Sequence, residues 1–173
     1  RSLREFTSVF SDDIETVEVF FANNQILFRS EHISFYTRLL EGNYPDTDRL
    51  IPTEFNTEAT FNVANLRFAM ERARLLSNAT QNGTVKLEFK NGVVSSHVHS
   101  PEVGRVNEEI DTSAVSGEDL SISFNPTYLI EALKAIDSEQ VVIRFISSVR
   151  PFTLVPEGNE QGFIQLITPV RTN

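Results

Sequence analysis

Phe124-Asn125-Pro126-Thr127-Tyr128-Leu129-Ile130-Glu131-Ala132-Leu133-Lys134-Ala135-Ile136 reads as a capped helix, and Val141-Val142-Ile143-Arg144-Phe145-Ile146 reads as the strand that follows it. Asn125 can cap, because its side-chain oxygen can accept from the free N–H groups of the first turn. Pro126 suits the first helical position, where no backbone donor is required. Leu129, Ala132, Leu133 and Ile136 fall on one stripe at helical spacing, so this helix buries one side. Two more apolar runs, 152–155 and 163–168, continue as strands. The unit is therefore a helix followed by three strands.

The same unit recurs toward the other end. Leu3, Phe6, Val9 and Phe10 give residues 2–10 a helical period, and strands are expected over 16–21, 25–29 and 32–40 around an Asn23-Asn24 turn. Pro45 and Pro52 punctuate 42–52 as a linker. Between these lies a related unit with a strand at 59–63, a helix at 64–76, strands at 84–89 and 93–99 about the Asn91-Gly92 hairpin signal, and further strands at 108–112 and 120–124. Repetition of one supersecondary unit predicts an α+β protein of pseudo-symmetric build. The chain opens without Met and inside a helical period, which reads as a piece of a longer protein.

Composition narrows the function. With 40% hydrophobic residues, the 173-residue chain can build a core without staples, and the absence of Cys removes disulfides and thiolate metal sites and fits a reducing cytoplasm. No apolar run approaches the roughly 18 residues of a membrane span. The net charge of −9 argues against a general nucleic-acid binder, but it is unevenly spread. The three helices carry +1 (Arg1, Arg4, Glu5), +2 (Arg67, Glu71, Arg72, Arg74) and −1 (Glu131, Lys134, Asp137), so strands and loops hold −11. Arg67 and Arg74, seven apart, share a line beside the core stripe of Leu66, Ala69, Met70 and Ala73. Basic helices in an acidic protein suit a channel that attracts phosphate while the exterior repels it, with Arg1, Arg4, Arg67, Arg74 and Lys134 as its lining. Simple solvation of those arginines is the plain alternative. Phe68 and Leu75 lie opposite the core stripe, as a partner surface would.

Catalytic signatures are absent: no G-x-S-x-G, no phosphate-cradling glycine loop, no H-E-x-x-H. His97 and His99 face one side of a strand and could share a metal with Glu102, but a surface strand is the simpler reading, and no metal or other cofactor is expected. The acidic cluster Glu102, Glu108, Glu109 and Asp111 is either solvated or faces a basic partner. A generic protein-binding module and a carboxylate hydrolase stay open at this point.

Four segments add a resemblance. Tyr44-Pro45-Asp46 with Arg49-Leu50-Ile51-Pro52, Arg72-Ala73-Arg74-Leu75-Leu76-Ser77-Asn78, Phe124-Asn125-Pro126-Thr127-Tyr128 and Leu166-Ile167-Thr168-Pro169-Val170-Arg171 resemble, in order and spacing, the bacterial sliding clamp family, the β subunit of DNA polymerase III. The Val170-Arg171-Thr172-Asn173 ending is similar to its Gram-positive branch. The resemblance implies a DNA-clamp fold, with helices toward a central hole, sheets outside, and two three-domain protomers encircling duplex DNA irrespective of sequence. It implies that 1–52 is the second half of the middle domain with its linker and 53–173 the last domain. It implies a non-catalytic processivity factor that holds polymerase, clamp-loader and repair partners through short peptides. The groove for them would use Pro45, Arg49, Leu50, Tyr128, Leu166, Thr168, Pro169, Val170 and Arg171, with Arg150, Pro151 and Phe152 nearby. Thr168 and Val170 stand where some relatives carry Met, so the pocket shape differs. The ring interface would use Leu75, Leu76, Glu102, Glu108 and Glu109. A homodimer is implied for the full-length protein, whereas this piece is expected neither to close a ring nor to bind partner peptides tightly.

Overall fold

The computed structural model describes residues 2–10, 14–43, 46–77, 83–100, 104–159 and 162–171. The chain parts into two compact units, Arg1–Asp46 and Thr47–Asn173.

In the first unit, helix α1 (Ser2–Val9) is followed by three antiparallel strands in sequence order, β1 (Glu18–Phe21), β2 (Gln25–Arg29) and β3 (Ser34–Arg38). The Asn23-Asn24 turn is closed by the Ala22 N–H donating to the Gln25 carbonyl at 2.9 Å. Rings join helix to sheet: Phe6 lies 4.6 Å from both Phe10 and Phe28 and 6.4 Å from Phe35, centroid to centroid. Thr37 Oγ1 donates to Ser2 Oγ at 3.0 Å beside them. These contacts fix which side of the sheet faces the helix.

The second unit holds β4 (Thr57–Asn62), α2 (Val63–Ser77), β5 (Val85–Lys90), β6 (Val93–Ser100), β7 (Gly104–Ile110), β8 (Ala114–Gly117), β9 (Leu120–Phe124), α3 (Pro126–Lys134), β10 (Gln140–Phe145), β11 (Phe152–Pro156) and β12 (Gln165–Ile167), after a 3-10 turn at Thr47–Arg49. Two antiparallel sheets form, in the orders β12-β11-β10-β4-β8 and β7-β6-β5-β9. Helices α2 and α3 touch each other, and α2 also meets β4, β5, β6 and β7. Period-two alternation drives this: Val85, Leu87 and Phe89 are buried while Lys86 and Lys90 are exposed. Four rings link the sheets in a row. Phe89 lies 4.9 Å from Phe145, Phe145 lies 5.1 Å from Phe152, and Phe152 lies 5.1 Å from Phe124. Leu66, Met70, Leu129, Ile130 and Leu133 from the helices complete the core.

The helix start expected at Asn125 is present. Thr127 N–H donates to Asn125 Oδ1 at 2.9 Å, and Pro126 takes the first helical position. Asn125→Ala is expected to destabilise the second unit by about 1 kcal/mol, measured as a shift in its urea midpoint at unchanged slope. Two strands depart from expectation. β7 begins at Gly104, ahead of the expected 108–112, because β6 imposes its register on a polar run from Ser100↔Gly104 to Val94↔Ile110. β8 is formed by Ala114-Val115-Ser116-Gly117, a stretch with no apolar alternation, recruited by the open edge of β4.

Candidate functional site

An open cleft of about 450 Å³ lies where α3 passes β12, lined by Tyr128, Glu131 and Ala132 on the helix and Gln165, Leu166, Ile167 and Thr168 on the strand and beyond. Tyr128, Glu131 and Ala132 share a face because they stand three and four residues apart on one helix. β12 is an edge strand that pairs, among the described residues, with β11 alone, through Phe152↔Ile167, Thr153↔Leu166 and Leu154↔Gln165. Ile167 points to the core, and Leu166 is left half-buried at the cleft. After Ile167 the chain leaves the sheet, and the Val170 N–H donates to the Ser123 carbonyl of β9 at 2.7 Å. That bond ties the tail to both sheets. The cleft thus offers an apolar floor at Leu166, a ring 59% exposed at Tyr128, and hydroxyl and carboxylate partners at Thr168 and Glu131. This mix suits a short segment with an apolar anchor and free backbone donors.

The residues named from sequence divide accordingly. Tyr128, Leu166 and Thr168 meet at this cleft, while Pro169 and Val170 are half-buried and Arg171 exposed just beyond it. Arg49 and Leu50 are exposed in and after the 3-10 turn and do not line it. Arg150 and Pro151 lie on the turn before β11, apart from the cleft lining. Phe152 requires a correction: it is 0% exposed, enclosed between Phe145 and Phe124, because its strand is paired on both sides and this residue points inward. Pro45 lies outside the described residues, as do Arg1 and Glu102. Glu131, Ala132, Gln165 and Ile167 were missed from sequence. Glu131 and Ala132 carried a readable signal, one helical turn after Tyr128.

The basic residues sit unevenly. Arg67 is about one-third exposed, with its guanidinium 5.2 Å over the Phe68 ring and its Nε 4.0 Å from Glu71 Oε1. That Nε makes no hydrogen bond among the described residues. Arg74, two turns on, is half-buried, and Lys134 is exposed in the last turn of α3, beside which α2 runs. Arg4 is exposed on α1.

On the flank of α2 toward β7, Arg72 is bound to Glu108, Nε to Oε2 at 3.2 Å and Nη2 to Oε1. The hydrogen bond to Glu108 raises the Arg72 pKa above the ordinary arginine value, against an opposing desolvation and with a lesser contribution from the Glu108 charge. Glu108 is therefore paired within the chain, and Glu109 stays exposed beside it. Phe68 and Leu75 project from α2, 49% and 71% exposed, whereas Leu76 packs partly buried against the core. His97 is engaged by neighbours, with Nδ1 2.8 Å from Asn107 Oδ1 and Nε2 2.9 Å from Ser95 Oγ. Among the described residues no group of three metal-ligating side chains converges.

Comparison with known proteins gives the setting. Residues 48–171 match the family described as DNA polymerase III beta subunit, C-terminal domain. The beta sliding clamp of Streptococcus pneumoniae is 80% identical over 173 residues, taking in 100% of this chain and 46% of that protein. The beta sliding clamp of Lactococcus lactis is 54% identical over 175 residues, again 100% of this chain and 46% of that protein. A crystal structure of the DNA polymerase III beta chain from Streptococcus pneumoniae superposes with a TM-score of 0.91 at 80% identity, covering 99% of this chain and 45% of that one. The chain spans about half the length of the curated relatives it matches. With a family match over most of its length and helices and antiparallel sheets that superpose on a solved beta subunit, the chain belongs to the DNA polymerase III beta subunit family, the sliding clamps.

Proposed function

We propose that the chain serves in a ring that encircles duplex DNA as a replication processivity factor, tethering polymerase and clamp-loader partners through short peptides. The role is mechanical and makes or breaks no bond. It is exercised in the cytoplasm, where the chromosome is copied, by two full-length copies closing one ring. The observation that carries the reading is the cleft in which Tyr128 stands against Leu166 and Thr168 beside a tail pinned to Ser123. Leu166 offers an apolar seat for a peptide's Leu or Phe anchor, and Tyr128 closes over it with ring and hydroxyl. Arg67, Arg74 and Lys134 on the helices supply positive charge for phosphate, in a protein that is otherwise acidic.

Two measurements on the full-length protein test this. In a fluorescence titration with a labelled peptide carrying Leu and Phe anchors, Tyr128→Ala and Leu166→Ala are each expected to weaken binding by about tenfold or more, the scale of a buried anchor. Unchanged affinity in both would remove the cleft from the mechanism. On nicked circular DNA the loaded protein is expected to persist in high salt and to leave once the circle is cut. Equal loss from circles and linear DNA would rule out encirclement.

A further inference from the structure

The three-stranded sheet of the first unit has a second face, turned away from α1, and that face is not a simple polar exterior. The register aligns Phe20, Leu27 and Tyr36 in one row across β1, β2 and β3. The alternate row, Val19, Phe28 and Phe35, faces the helix, since Phe28 and Phe35 meet Phe6. Directly opposed pairs lie about 5 Å apart, so the row is continuous and roughly 10 Å long. Tyr36 is 73% exposed, Phe20 43%, and Leu27 is half-buried between them. On one side of the row Arg29 donates to Glu18 Oε2 through Nε (3.0 Å) and Nη2 (2.8 Å), and its guanidinium lies 4.8 Å over the Phe20 ring. On the other side Arg38 stands opposite Gln25, exposed, two residues from Tyr36 on the same strand. No ion pair holds Arg38 among the described residues.

We propose that this face is a docking surface for an acidic protein segment that lays an aliphatic or aromatic side chain between Phe20 and Tyr36 and a carboxylate on Arg38. Tyr, Phe and Arg are residue types that anchor protein contacts, and of the three charged side chains on β1–β3, Glu18 and Arg29 pair while Arg38, the remaining one, is positive. A nucleic acid fits less well. Arg29 already covers one face of the Phe20 ring, and Glu18, Arg29 and Arg38 together leave a single net positive charge where a strand of phosphates would need several.

The test uses the full-length protein carrying Tyr128→Ala and Leu166→Ala together, so that both anchors of the α3–β12 cleft are removed and the change at Tyr36 is read against a weakened cleft. The probe is a fluorescein-labelled peptide with an Asp-Leu-Phe-Asp centre in Gly/Ser flanks. Saturable binding is expected, with Tyr36→Thr lowering affinity by about tenfold and Arg38→Gln lowering it less while flattening its salt dependence. Both side chains point outward, and an unchanged circular dichroism spectrum establishes that the fold persists. No binding, or binding indifferent to Tyr36→Thr, overturns the proposal. So does competition by oligothymidylate, which would make the face a nucleic-acid platform, or concentration-dependent self-association lost on Tyr36→Thr, which would make the occupant a second copy. Protection of Tyr36 from hydroxyl-radical labelling in the peptide-free protein would also overturn it, because the face would then be covered from within.

Discussion

Phe152→Ala is expected to cost the second unit about 3–5 kcal/mol, a large part of the ~5–15 kcal/mol that holds a domain together. The ring is fully enclosed and sits third in the row Phe89, Phe145, Phe152, Phe124, which crosses from one sheet to the other. Truncation removes the transfer energy of the ring and leaves a cavity flanked by two other rings that cannot close over it without moving their strands. The consequence reaches the cleft. β11 carries Phe152 and is, among the described residues, the one strand paired with β12, so loosening it releases the strand that presents Leu166. A urea titration followed by circular dichroism, with Val149→Ala as the exposed comparator, reads the loss. The comparator should stay within about 0.5 kcal/mol of the parent. A loss below about 1.5 kcal/mol for Phe152→Ala would mean that the ring row is not the centre of the core.

Gly117→Ala is expected to cost about 2–6 kcal/mol, combining ~1–3 for strained backbone with ~1–3 for displaced neighbours. Gly117 ends β8 at φ +98°, and a Cβ there would overlap the Asn56 carbonyl oxygen. That oxygen cannot retreat freely, because it accepts from the Glu118 N–H at 3.0 Å, while Thr57 Oγ1 donates to the Glu118 carbonyl at 2.8 Å. Gly158→Ala isolates the backbone part, since Gly158 has φ +80° and nothing within 4 Å of an added Cβ. The difference between the two variants measures the clash alone. Amide exchange locates it: Glu118 and Ser113, whose N–H groups bond to Asn56 and Thr60, should lose protection in Gly117→Ala and keep it in Gly158→Ala. Equal stability of the two variants would mean that β8 moves at no cost.

How much of this was readable beforehand depended on whether the signal was local. The α3 start was readable because Asn125 and Pro126 act on the turn they begin. β5 was readable because Val85, Leu87 and Phe89 alternate with charge, and β10 because it is apolar along most of its length. β8 was not, since Ser113-Ala114-Val115-Ser116-Gly117 has a single branched residue among small ones; its pairing comes from β4, more than 50 residues earlier. Phe152 shows the reverse error. The resemblance put it near the groove, and the register shows that its ring points inward, into the row of rings.

The sequence by itself determined the α+β class, the start of α3, the alternation that gives a strand such as β5 its inside, and the family resemblance, because each depends on neighbours along the chain or on short motifs. Only the tertiary structure decided that Tyr128 meets Leu166, that Glu108 is bound by Arg72, that Arg67 lies over Phe68 beside Glu71, and that Phe20, Leu27 and Tyr36 form one row. The long-range contacts among these depend on strand register and on helices laid across sheets. Those are fixed by burying the whole apolar set at once, and no short window of residues contains that set.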